Sequence, residues 1–152
     1  MASINADTTV RLRILDGTVY TVDKKNAFLS ATIRQIAEEN PNGEEIYLEK
    51  IKSKTVMDLM VEYMNHCQGV VKPEIKEPLR STTWIENCND DEFDAELSER
   101  SYQNSNKHLE AMLAARDLHL TPLYLLLCAR LAFEIMGKDI EECKEIIHEY
   151  IR

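Results

Sequence analysis

The first part of the chain alternates apolar and polar residues with the period of two that is typical of β-strands. Apolar residues occupy every second position from Val10 to Ile14, and a second alternating stretch follows at residues 19–22. Asp16-Gly17 lies between them, a dipeptide that favours a two-residue type I′ turn in which both positions need a positive φ. The pattern predicts a β-hairpin.

Spacings of three and four residues, typical of helices, take over after the hairpin, with one more strand between them. Ser30 can cap a first helix. Ile46 and Leu48 belong to a short third strand, and Ser53 can cap a second helix that Gly69 ends. This half of the chain therefore combines three strands with two helices.

No period is visible in residues 70–104. Two prolines interrupt the stretch, and carboxylates crowd residues 86–99. Because such a composition buries little apolar surface, we expect a long, partly disordered acidic loop that is a solvated insertion. In the alternative, the loop is a flexible tether that repels wrong partners or carries short motifs, with Trp84 and Phe93 as its large anchors. If the ring of Trp84 or of Phe93 packs on the core, the loop is partly ordered.

Helical spacing returns after this insert. Leu109, Met112 and Leu113 share one face of a first helix, which we expect to be its apolar side. Thr121-Pro122 opens the next helix, as a cap followed by proline in the first turn.

The helix that begins at Thr121 is apolar on nearly every side. Between residues 123 and 136 its charged residues are Arg130 and Glu134, and Gly137 follows as a stop signal. We therefore expect this helix at the centre of the C-terminal half, with Cys128 as an inert core thiol.

The last helix is strongly amphipathic. Asp139 with Glu142 three residues later resembles a capping box. Its apolar stripe either packs inside the molecule or, together with the preceding helix, leaves a groove that a partner helix enters. An open apolar surface is a liability unless it is covered. The stripe comprises Ile140, Cys143, Ile146, Ile147, Tyr150 and Ile151.

Composition narrows the classes of partner. The chain has 152 residues, which suits one domain. Lys and Arg number 18 against 27 Asp and Glu, a net charge of -9 that repels nucleic acid and anionic membrane surfaces. The start of the chain is unlike a secretory signal, and we expect a cytoplasmic and/or nuclear protein.

The sequence contains no recognisable constellation for catalysis. Cys67, Cys88, Cys128 and Cys143 never form a Cys-x-x-Cys pair, and the four histidines are scattered. We expect reduced thiols and no metal site, cofactor or catalytic residue. A non-enzymatic protein is the consequence.

The order of these elements resembles that of the BTB/POZ fold. Their amino-acid sequence is similar to that of the S-phase-kinase-associated (SKP) family, with elongin C as a close relative. The resembling segments are 10–22, 46–63 and 113–131, and residues 137–142 resemble the family's Gly-Lys-x-Pro-Glu-Glu link. The resemblance implies an α+β fold: a small three-stranded sheet covered by helices, with C-terminal partner-binding helices.

On this resemblance the chain divides into four segments. Residues 1–69 form the N-terminal half of the BTB/POZ fold, 70–104 the acidic flexible insert, 105–136 the C-terminal BTB/POZ helices, and 137–152 a C-terminal helix of the partner-binding region. F-box-binding members of the family carry further helices beyond the position of Ile151, whereas elongin C is shorter.

The implied role is a non-catalytic adaptor that bridges a cullin to an F-box-type receptor in a ubiquitin ligase. Arg116 and Asp117 stand where the family has a cullin-facing Asn-aromatic pair. The alternative is a scaffold subunit outside ubiquitin transfer that binds an F-box-like helix but no cullin. The residues expected to bind the receptor are Tyr124, Leu127, Leu131, Ile135, Cys143 and Ile147.

Overall fold

The computed structural model describes residues 8–40, 45–75, 79, 83–136 and 138–150. The chain separates into two compact units, where the sequence predicted one domain. The first unit is Met1–Lys72 with Ala114–Leu120, and the second is Pro73–Leu113 with Thr121–Arg152. Each unit contains buried apolar side chains.

A three-stranded sheet lies in the first unit. Strands β1 (Thr9–Ile14), β2 (Val19–Asp23) and β3 (Ile46–Leu48) are ordered β2-β1-β3, with β2 antiparallel and β3 parallel to β1. In β1 the apolar residues Val10 and Leu12 are buried, as the alternation predicted. The α+β class with a small three-stranded sheet is confirmed.

The hairpin turn differs from the prediction. Ile14 N–H donates to Thr18 O over 3.1 Å, and Gly17 N–H donates to Ile14 O over 2.9 Å, which closes a three-residue loop. Gly17 has a φ of 94°, whereas Asp16 has no positive φ. The carboxylate of Asp16 accepts from Thr18 N over 2.8 Å, so its side chain stabilises the loop instead. The two-residue type I′ turn was therefore wrong.

The described residues up to 72 also form the helices α1 (Lys24–Ala27), α2 (Ala31–Glu39) and α3 (Lys54–Cys67). The predicted cap of α2 is confirmed, because Ser30 Oγ accepts from Ile33 N over 3.1 Å. Ser53 stands at the N-cap of α3 without a side-chain hydrogen bond to the helix. The buried apolar side chains of this unit include Leu12, Ile14, Ile33, Met57, Met60, Tyr63, Met64, Leu118 and Leu120.

The remaining helices are α4 (Trp84–Asn87), α5 (Glu92–Gln103), α6 (Ser105–Asp117), α7 (Thr121–Ile135) and α8 (Ile140–Tyr150). Helices α4, α5, α7 and α8 belong to the second unit. Helix α6 is divided: its residues up to Leu113 belong to the second unit, and residues 114–117 belong to the first. The predicted helix stop at Gly137 lies outside the described residues.

Residues 83–104 contain α4 and α5, so a loop without secondary structure is wrong there, and the segment is ordered as in the alternative in which Trp84 packs on the core. Trp84 and Leu97 are buried, and Asp91 caps α5 by accepting from Asp94 N over 3.0 Å. The exposed side of α5 carries glutamates, while its buried side includes Ser98. Because small polar residues occupy part of that buried side, no apolar period marks the helix. Residues 76–78 and 80–82 of the predicted insert lie outside the described part of the chain.

The face of α6 that carries Leu109, Met112 and Leu113 is not its most buried side. Leu113 is exposed, and Leu109 and Met112 are half-buried. The buried side consists instead of His108 and the small residues Ala111, Ala114 and Ala115.

Candidate partner-binding surface

Helix α7 turns its charged side chains toward its buried side and exposes uncharged ones, which is the reverse of an ordinary surface helix. Its two charged residues, Arg130 and Glu134, form an ion pair one helical turn apart, and Arg130 is 9% exposed. Thr121 and Ala132, which carry no charge, are its exposed positions. A surface helix usually presents charged side chains to water and apolar ones to the core. The exposed side of α7 therefore lacks the groups that water would solvate best.

The outer face of α7 is apolar over about three turns, from Tyr124 to Ile135. Around exposed Ala132 lie half-buried side chains that include two leucines and an isoleucine. Cys128 belongs to this set, so the expectation that it is a core thiol was wrong; the helix turns it away from the buried side. The half-buried residues of the outer face are Tyr124, Leu125, Cys128, Leu131 and Ile135.

Helix α8 extends this apolar surface. Asp139 accepts from Glu142 N over 2.8 Å, which is one of the two hydrogen bonds of a capping box, and Cys143 Sγ lies 3.8 Å from Ile135 O on α7. Ile140 is 73% exposed and Ile147 is 51% exposed. Cys143 and Ile146 are half-buried. The stripe thus packs only in part on its own unit. We call the outer face of α7 together with Met136, Ile140 and Ile147 the α7–α8 surface.

Five of the six predicted receptor-binding residues are partly accessible: Tyr124, Leu131, Ile135, Cys143 and Ile147. Leu127 is the exception, because it is fully buried and belongs to the core of the second unit. Its prediction as a groove residue came from its place in an apolar run, which does not distinguish inward from outward positions. The side chain of Tyr150, and Ile151, lie outside the described residues.

Arg130 sits in a cluster of aromatic rings. Its guanidinium carbon is 5.2 Å from the ring centroid of Trp84, 5.6 Å from that of Tyr102 and 5.5 Å from that of Phe133. The rings of Trp84 and Phe133 are 5.1 Å apart, and Trp84 Nε1 donates to Ser98 Oγ over 2.9 Å. Helices α4 and α5 thus supply two of the three walls around a charge on α7.

His108 links three helices of the second unit. Its Nδ1 is 2.7 Å from Ser101 Oγ on α5, and its Nε2 is 3.0 Å from Leu127 O on α7. The side chain is fully buried, and burial lowers its pKa because the charged imidazolium is poorly solvated there. Sequence reasoning assigned no role to His108, since a single histidine in a helix carries no pattern.

The two predicted cullin-facing residues lie in the first unit. The Arg116 side chain is 57% exposed and is 3.5 Å from the carboxylate of Asp117. Thr32 Oγ1 donates to Asp117 O over 2.7 Å, and Ser30 Oγ donates to Leu118 O over 2.6 Å. Helix α2 therefore holds the end of α6, and the accessible group at this point is a guanidinium.

Among the described residues the potential metal ligands are not clustered, and the thiol of Cys88 is not activated. Over the described ranges no group of three His, Cys, Asp or Glu could hold a metal ion. Burial, followed by the charge of Asp94, raises the pKa of Cys88 to about 12, which keeps its thiol protonated and poorly nucleophilic at neutral pH. Within the same ranges no helix has the length and apolar character needed to cross a bilayer.

Comparison with known proteins identifies one relative that matches most of the chain. It is the S-phase kinase-associated protein 1 homolog of Tetrahymena thermophila, with 27% identity over 138 residues. The match covers 91% of this chain and 80% of that protein. No family model matches the sequence.

Proposed function

On the premise that this chain is a divergent member of the S-phase-kinase-associated family, which its similarity to the Tetrahymena protein supports, we propose that it is a non-catalytic adaptor of a cullin-type ubiquitin ligase. In this role the α7–α8 surface binds the F-box of a substrate receptor, and the first unit binds a cullin. The protein works in the cytoplasm and/or nucleus without a cofactor.

The inversion of α7 is the observation that carries the proposal. Covering the outer face removes apolar groups from water at roughly 25 cal/mol per Å². Covering this face buries no unpaired charge, because Arg130 and Glu134 lie on the opposite side of α7. Ile140 and Ile147 widen the same apolar surface. An amphipathic helix laid into it is the partner that fits this chemistry.

The mechanism of such an adaptor is positional. Holding a receptor and a scaffold in one complex raises the local concentration of substrate near the ubiquitin-charged enzyme. This requires affinity and rigidity on two surfaces and no catalytic residue.

A second candidate is a scaffold subunit that binds an F-box-like helix but no cullin. Arg116 and Asp117 favour it, since the family's aromatic residue at this place is replaced by a carboxylate. An aromatic at an interface centre contributes strongly to binding, and burying an unpaired charge costs a few kcal/mol. The first unit therefore presents a charged point where the family contact is apolar.

The test is co-purification with an F-box domain, followed by addition of a cullin N-terminal domain. Ile147→Asp should abolish F-box binding with little loss of fold, because the side chain is already half exposed. Glu99→Lys, an exposed change on α5, is the control and should leave binding intact. Failure of the parent chain to bind any F-box domain would reject both candidates.

The cullin arm separates the two candidates. Recruitment of the cullin domain supports the ligase adaptor, and F-box binding without it supports the scaffold. The double change Arg116→Asn with Asp117→Tyr restores the residue types of the family and should strengthen cullin binding. Unchanged binding would show that cullin contacts a different surface.

A further inference from the structure

Apolar burial alone leaves the orientation of α7 poorly specified. Leucine, isoleucine, alanine, tyrosine or phenylalanine occurs on every side of the helix, so several rotations about its axis would bury comparable apolar area. Hydrophobic burial is non-directional and does not distinguish among them. Something else must decide which side of α7 faces outward.

Arg130 is placed to make that choice. It lies at the centre of the buried side, flanked along the helix by buried Leu123, Leu126 and Leu127. Two of the rings around it, Trp84 and Tyr102, belong to other helices of the second unit. If α7 turned by half a revolution, the guanidinium would leave both rings, and Arg130 would exchange positions with the outer face.

We expect the Arg130–Glu134 pair to contribute little to stability. Taking two charges out of water is costly, and an apolar pair of similar volume is often at least as stable. The Arg130 Nε also has no hydrogen-bond acceptor among the described residues. A buried charge that adds little stability is better explained by the specificity it confers on packing.

We propose that Arg130, paired with Glu134, is a positioning residue that fixes the rotation of α7 about its own axis. Enclosed by Trp84, Tyr102 and Phe133, it has one favourable place in the second unit, and that place turns the outer face of α7 toward solvent. Helices α4 and α5 act through it as the template for the α7–α8 surface. The effect on partner binding rests on the proposed function, whereas the rotation does not.

The rotation can be measured by the reactivity of thiols placed on α7. Ala132→Cys reports the exposed side and Ala129→Cys the buried side, and peptide mapping separates each introduced thiol from the four native ones. In the parent background the thiol at 132 should react with a maleimide about tenfold faster or more, because the thiol at 129 reacts only after local opening.

Replacing the pair with apolar residues should erase this difference. In the double variant Arg130→Met with Glu134→Leu, we expect a cooperative thermal transition at or above the parent Tm and a labelling ratio that falls toward unity. The matched control is Arg100→Met with Glu96→Leu, which removes an exposed pair of the same residue types and spacing on α5 and should leave the ratio unchanged.

An unchanged ratio in the folded double variant would overturn the proposal, and so would a double variant that fails to fold, since the pair would then be required for stability. Arg130→Lys gives a third measurement: it keeps the charge but loses the planar group that stacks on the rings, and we expect an intermediate ratio. A ratio equal to the parent's would count against the role of the rings.

A second readout connects rotation to binding. If the α7–α8 surface binds an F-box domain, the folded double variant should bind it about twofold more weakly or worse, because the competent orientation is then about half of the population or less. Absence of F-box binding by the parent chain would reject the proposed function alone. The labelling ratio would still decide the role of Arg130.

Discussion

Trp84→Ala tests whether residues 83–104 belong to the core of the second unit. The Trp84 side chain is 8% exposed, its ring centroid is 5.1 Å from that of Phe133 and 5.2 Å from the guanidinium carbon of Arg130, and its Nε1 donates to Ser98 over 2.9 Å. Truncating a buried aromatic to alanine costs about 3–5 kcal/mol. Lost contact with the cation adds about 0.5–2 kcal/mol. We expect a loss of about 3.5–7 kcal/mol in the free energy of unfolding.

The loss is large beside the 5–15 kcal/mol that is typical of a folded domain. Urea unfolding should be followed by far-UV circular dichroism, because Trp84 is the one tryptophan of the chain and its fluorescence disappears with it. Trp84→Phe keeps an aromatic ring but loses the hydrogen bond to Ser98, and should cost about 1 kcal/mol for that bond. Glu99→Ala, an exposed change on α5, should stay within about 0.5 kcal/mol of the parent.

A Trp84→Ala protein within about 1 kcal/mol of the parent would refute this reasoning, given that buried aromatics cost several times more. The segment would then be a solvated insertion. If Trp84→Ala does not fold at all, the graded loss in Trp84→Phe still measures how much the site contributes.

Three further outcomes can be checked by unfolding experiments. Burial lowers the pKa of folded His108 below the unfolded value of about 6.5, so the free energy of unfolding should fall as the pH drops below about 6.5. His108→Gln should make this pH dependence less steep, and an equally steep dependence in the variant would contradict the role of His108. Leu127→Ala should cost about 2–5 kcal/mol, as expected of a core residue, and a loss below about 1 kcal/mol would return Leu127 to the partner surface. Gly69→Ala should cost about 2 kcal/mol or more, because residue 69 has a φ of 83° and a Cβ there would lie 3.0 Å from Lys25 O. Gly17→Ala is the control: a Cβ there meets open space, and the positive φ alone should cost about 1 kcal/mol. Equal losses would show that the clash with Lys25 O contributes nothing.

The strands could be predicted from the sequence because alternation specifies both a strand and its buried side. Val10, Leu12 and Ile14 are buried as the pattern requires. The turn between β1 and β2 was less predictable, since Asp16-Gly17 suits more than one loop, and the carboxylate of Asp16 stabilises the longer one through Thr18 N.

Helix α5 was not predicted because its buried side mixes leucine with serine. Ser98 and Ser101 are buried, where they meet the Trp84 indole and the His108 imidazole. A polar residue becomes acceptable in a core when its hydrogen bonds are made there. Such partners come from other helices, so the sequence around Ser98 carries no sign of them.

Which side of α7 is buried was predicted only in part, for a related reason. An apolar run announces α7 but does not say which side is buried, so Leu127 was assigned to the surface together with Leu131. The informative residues were Arg130 and Glu134, the exceptions within the run. Their i,i+4 spacing allows an ion pair, and a charge pair on a helix is usually an outward feature. Here the Arg130–Glu134 pair lies on the buried side of α7, and the aromatic rings around Arg130 explain this placement.

The first unit is discontinuous, and this affects the order in which the chain folds during synthesis. Ser30 and Thr32 donate to the carbonyls of Leu118 and Asp117, contacts that span 88 and 85 residues. Domains commonly fold from the N-terminus as the chain leaves the ribosome. Here α2 lacks these acceptors until residues 114–120 emerge, after most of the second unit's helices α4–α6 have been made. Contacts of such long sequence separation form slowly, so we expect the first unit to reach its final packing late, although its own strands come first.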